Sequence, residues 1–137
     1  MKLIDVYSDN RAPMFLYSAL SQRAPGQNIS HKLMPTVEKH LEFFWSKPYD
    51  HWYLIEREGR LVGSIYLTGL SEIGISLLSV EDYSFIAYLA IQEMFKKHPR
   101  DEYFFNVNPA NSRLISVLGS GVTHIQNTYR YENVHQR

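Results

Sequence analysis

The chain has 137 residues, 45% of them apolar and 14% aromatic, and its 14 basic and 14 acidic side chains cancel to a formal net charge of zero. A chain of this length forms one domain that buries roughly two-thirds of its unfolded surface. The balanced charge lacks the strong positive field of a general nucleic-acid binder or an anionic-membrane binder, so no nucleic acid and no membrane is expected as a partner. Without cysteine there is no disulfide, thiolate nucleophile or cysteine metal site. No apolar run of membrane length and no signal-peptide pattern is apparent, and the chain reads as cytoplasmic.

Taken in order, KLIDVY over 2–7 alternates as a strand does. Asp9 or Asn10 then caps a helix with Phe15, Leu16, Ala19 and Leu20 on one face. Residues 23–35, with Pro25, Gly26, Asn28 and Pro35, form a loop. Thr36 caps a second helix whose apolar positions Val37, Leu41, Phe44 and Trp45 share a face, and Pro48 closes it. HWYLIER (51–57) and LVGSIYLT (61–68) are the arms of a hairpin turning at Glu58-Gly59-Arg60.

The next strand, EIGISLL (72–78), runs through a loop at 79–83 into a long helix striped by Ile86, Ala90 and Met94. Its end, Lys96-Lys97-His98, suits a helix C-terminus. EYFFNVN (102–108) is a further strand, and Pro109-Ala110-Asn111 opens a short helix that Gly119 and Gly121 end. Residues 123–132 form a last strand. The order β-α-α-β-β-β-α-β-α-β implies an α/β (α+β) fold, a mixed central sheet of about six strands flanked by about four helices.

The stretch from Glu72 to Pro99 carries most of the functional information. A strand, loop and helix of this length is where many coenzyme enzymes cradle a phosphate on glycine-rich backbone. This loop has no glycine and offers Glu81, Asp82 and Phe85 instead.

Four strings in order resemble the GNAT superfamily of N-acetyltransferases over nearly the whole chain. Residues 28–68 look like the family's substrate-side helix, loop and first hairpin. EIGISLL with its helix looks like the acetyl-CoA motif, NVNPANSRLI (106–115) like the Asn-rich strand-to-helix corner, and GVTHIQ (121–126) like the family's ending. The resemblance implies a GNAT fold with acetyl-CoA wedged between two splayed parallel strands, 72–78 and 102–108. A primary amine, on a small molecule or a protein, would attack the thioester. Ile75, Leu77 and Leu78 on the strand, Ser84, Phe85, Ile86 and Ala87 at the helix start, and Asn106 and Asn111 at the corner would hold the cofactor. Glu72, His31 and Tyr129 are the catalytic candidates.

The chain departs from the family at the pyrophosphate loop. The pattern Gln/Arg-x-x-Gly-x-Gly/Ala falls on residues 82–87, where Asp82 replaces the cationic or polar residue and Phe85 replaces the glycine. A carboxylate about 6 Å from a phosphate is repelled by about 3 kcal/mol at an effective dielectric near 20. Many family members also carry a tyrosine acid in the helix after the Asn corner, and the matching position here is Leu118.

Each candidate has a plain structural reading beside the chemical one. Glu72 is also a solvated strand end, His31 a surface loop histidine, and Asn111 an N-cap. The other histidines lack metal-ligand spacing, so no metal is expected. The aromatic cluster from Phe43 to Tyr53 reads mainly as core. The alternative to an enzyme is an inactive GNAT fold kept for a protein partner, such as a bacteriophage virion component, with Phe85 filling the cofactor cleft.

Overall fold

The Glu58-Gly59 turn organises the centre of the molecule. Both residues take positive φ, 52° and 79°, the twist that closes a two-residue hairpin. The hairpin arms are β2 (His51–Arg57) and β3 (Arg60–Leu67). The computed structural model describes residues 1–22, 34–78 and 81–132. β1 (Lys2–Asp5) pairs antiparallel with β2, and β4 (Glu72–Leu77) antiparallel with β3. β5 (Phe104–Phe105) pairs parallel with β4. The result is an open mixed sheet of five strands in the order β1-β2-β3-β4-β5. Four helices accompany it: α1 (Ala12–Ser21), α2 (Val37–Trp45), α3 (Tyr83–Lys97) and α4 (Ser112–Leu118).

Alternation along the strands divides the apolar side chains between two cores. Ile65, Leu67, Ile73 and Leu77 pack with α3 and α4, around Ile86, Ala90 and Met94. Trp52 and Leu54 pack with Leu16 of α1 and Phe44 of α2. The inward stripe of α2 is His40 and Phe44, whereas Val37 and Trp45 of the expected apolar face are 40% and 59% exposed. Thr36 caps α2 as expected, its Oγ1 accepting from Lys39 N at 3.2 Å.

Three expected strands end differently. β1 stops at Asp5, whose carboxylate accepts from Tyr7 N at 2.8 Å and turns Val6–Ser8 into a 3-10 helix. The strand expected over 102–108 keeps ladder pairing only at Phe104 and Phe105. The last strand, over 123–132, does not form: residues 122–132 carry neither helix nor strand. Ile125, Tyr129 and Tyr131 there are 69%, 85% and 94% exposed. Alternation specifies a strand only where an edge runs alongside it, and β5 presents two residues of edge.

At the end of α3, His98 stacks on His51 with ring centroids 3.4 Å apart and shares a 2.7 Å hydrogen bond with the Tyr53 hydroxyl. Burial, then the positive charges of His51, Lys97 and Arg100, hold its pKa below the ordinary value. The folded state therefore favours the neutral ring, while the unfolded chain protonates near pH 6.5. Between that pH and the lower folded pKa the unfolded chain binds more protons, so stability present above about pH 6.5 is lost as pH falls through this window. The urea midpoint is expected to fall on acidification, and to fall less in His98→Gln. Equal falls in both proteins would remove His98 as the cause.

Candidate active-site cleft

Where β4 and β5 part, the sheet opens. Their ladder joins Glu72 to Phe104 and Ile73 to Phe105 and goes no further. Beyond it, residues 73–76 on one side and 105–108 on the other line a cavity of about 350 Å³. Asn111 and Leu114 of α4 close one end, and Leu16, Leu20 and His40 from α1 and α2 close the other.

The Asn-rich corner holds the mouth in place through its amides. Asn108 Oδ1 accepts from Ala110 N at 2.9 Å and its carbonyl accepts from Asn111 N at 2.8 Å. Asn111 Oδ1 then caps α4, accepting from Leu114 N at 3.3 Å. Burial raises the pKa of the Tyr83 hydroxyl against the opposing effects of Asn111 and Arg113, and the Arg113 guanidinium lies 4.3 Å over that ring. The start of α3 is thereby tied to the start of α4.

Glu72 stands at the point of divergence. Its Oε2 accepts from Asn106 Nδ2 at 2.6 Å and its Oε1 from Thr68 Oγ1 at 3.4 Å. The carboxylate thus bridges the two strands where their backbone ladder ends, and Glu72 itself lies outside the cavity wall.

His40, set aside in the sequence for want of metal-ligand spacing, stands in the wall beside Lys39. It is 5% exposed, and Nε2 meets the Pro13 carbonyl at 2.7 Å. A carbonyl only accepts, so Nε2 carries the hydrogen and Nδ1 is left as an acceptor. The signal was its position one turn before Phe44 on the capped helix, which a stripe drawn from apolar residues alone omits.

Aromatic rings line the same cavity. Tyr49 and Tyr66 stack at 3.8 Å and 4°, and Trp52 meets Tyr49 edge-on at 4.9 Å and 87°. The Tyr66 ring sits directly over Gly74, where any Cβ would overlap its outer atoms. Gly74 is therefore favoured at this strand position by the close approach of the Tyr66 ring and not by its φ.

The two unusual residues at the start of α3 point to a common partner. Arg57, at the end of β2, pairs with Asp82 at 3.1 Å and places its guanidinium 5.5 Å from the centroid of the Phe85 ring. Phe85 is 55% exposed and lies outside the cavity wall. Asp82 leaves the first turn uncapped by any side chain.

Of the expected cofactor residues, Ile75, Asn106 and Asn111 come together in the cavity wall. Leu77, Ile86 and Ala87 lie in the core beneath α3. Ser84 is exposed, and Leu78 N extends the β3 pairing by donating to Val62 O at 2.8 Å. Leu118 packs against the core. Tyr129 is exposed and outside the cavity wall, and His31 lies outside the described residues. The chain matches no protein-family model, no curated protein and no solved structure. Among the described residues no three His, Asp or Glu side chains gather as metal ligands, and no helix is long and apolar enough to cross a membrane.

Proposed function

We propose that the protein is a GNAT-like N-acetyltransferase that holds acetyl-CoA where β4 and β5 part and passes the acetyl group to an amine entering beneath α1 and α2. One observation carries this reading: the parallel pair β4–β5 separates after two residue pairs into a cavity of about 350 Å³. A thioester arm laid between such strands meets backbone N–H and C=O groups that no ladder uses.

In the reaction the amine nitrogen attacks the acetyl carbonyl carbon, the C–N bond forms and the C–S bond breaks. The sulfur leaves as thiolate, and one proton passes from nitrogen to that thiolate, giving the free thiol. His40 is the better placed proton acceptor, because its ring is in the wall and Nδ1 is free to accept. Glu72 serves as the brace between strands. Acetyl-CoA titrated by calorimetry at moderate salt is expected to bind in the micromolar range and to release thiol when an acceptor is added. Millimolar or absent binding would sink the reading.

Asp82 bears on the affinity. It is 58% exposed and paired with Arg57, so its repulsion of a phosphate about 6 Å away is near the water limit, about 0.7 kcal/mol. Asp82→Asn removes that charge and frees Arg57, and is expected to tighten acetyl-CoA about threefold. Unchanged affinity would place the pyrophosphate elsewhere.

The alternative is an inactive fold held for a protein partner. It draws on Phe85, Tyr88 and Ile115, which expose apolar surface at 55%, 52% and 47% on α3 and α4. The open cleft weighs against it.

A further inference from the structure

The charges around the cleft are one-sided. All 14 Asp and Glu residues of the chain fall within the described residues, and none of them lines the cavity. Glu72, next to the wall residue Ile73, is already held by Asn106 and Thr68. Among the described residues the single charged side chain in the wall is Lys39, exposed on α2 beside His40, and there it has no carboxylate partner. The same wall carries the aromatic rings of Phe43, one turn along α2, and of Tyr49, Trp52 and Tyr66, with Phe43 and Trp52 meeting at 6.2 Å and 78°.

A cation entering this space would leave water without a counter-charge and meet Lys39. An anion has Lys39 to pair with, and a flat ring has aromatic faces and edges to pack on. An arylamine has a further advantage. It is neutral at pH 7, so it needs no carboxylate base to become a nucleophile.

We infer that the acceptor is an aromatic amine bearing a negatively charged group, its ring against the Tyr49–Tyr66–Trp52 wall and its anion at Lys39. This rests on the acyl-transfer reading for the word acceptor. The ligand preference itself rests only on the residues of the cleft. Polyamines, aminoglycosides and other cationic acceptors are excluded as preferred substrates.

The test is a matched pair of probes, 4-aminobenzoate and 4-aminobenzamidine, which share ring and amine and differ in the sign of the para group. Calorimetry on the full chain is expected to show at least a tenfold preference for 4-aminobenzoate. Lys39→Glu, an exposed substitution whose fold is checked by circular dichroism, is expected to reverse the order. Equal affinities, a preference for the amidine, binding of neither probe, or a preference untouched by Lys39→Glu each overturn the inference. Acetyl-CoA titrated separately distinguishes the two levels. Preference for 4-aminobenzoate without acetyl-CoA binding retires acyl transfer and keeps the cleft's ligand class. Acetyl-CoA binding with an amidine preference retires the acceptor class alone.

Discussion

Phe44→Ala is expected to lower stability by about 3–5 kcal/mol, a large part of the roughly 5–15 kcal/mol that holds a domain folded. The side chain is fully buried between the sheet and α1. Its ring lies 4.8 Å from Tyr7 and 5.5 Å from Trp52, and its carbonyl accepts from the Tyr7 hydroxyl at 2.6 Å. Truncation leaves a cavity that neither partner fills, because Trp52 is also needed in the cleft wall. The melting temperature should fall by roughly 10 °C or more. Trp45→Ala, one residue on but 59% exposed, should cost about 1 kcal/mol or less. Equal losses in the two variants would contradict the assignment of α2's inward face.

Gly74→Val is expected to weaken acetyl-CoA binding about thirtyfold, near 2 kcal/mol, with the fold retained. The new side chain projects where the Tyr66 ring now sits, so the ring leaves its stack on Tyr49 and the cavity loses volume on the β4 side. Valine suits a strand, and overpacking of this kind costs typically about 1–3 kcal/mol of stability. Calorimetry with acetyl-CoA, with circular dichroism as the control for folding, reads both effects. Unchanged affinity in a folded variant would place the ligand away from β4.

Local signals marked the middle of the chain well. Thr36 announced α2, Glu58-Gly59 announced the hairpin, and EIGISLL announced β4. These features are decided within a few residues of themselves. The errors fall where a partner far along the chain decides. EYFFNVN reads as a strand over its length, yet only Phe104 and Phe105 pair, because the following residues line the cleft. The run over 123–132 has a strand's period and no long edge to join.

The site was legible in part for the same reason. Asn106, Asn111 and Ile75 were expected at the cofactor and do line one cavity. Asp82 and Phe85 looked like an unrelieved obstacle, since nothing nearby in sequence reveals that Arg57 reaches both. Aromatic residues from Phe43 to Trp52 read as core by periodicity. Their second role as a cavity wall depends on Tyr66 and Gly74, contributed by other strands. His40 was invisible to an apolar stripe, although it is one of the buried residues of α2.

The central claim is that acetyl-CoA lies between β4 and β5, and amide chemical shifts test it most directly. On adding acetyl-CoA, the account predicts ¹H–¹⁵N shifts concentrated at residues 73–76 and 105–108 and at Asn111, the walls of the cleft. Shifts that are absent at saturating acetyl-CoA, or confined to the exposed face of α3 around Tyr88, would contradict it.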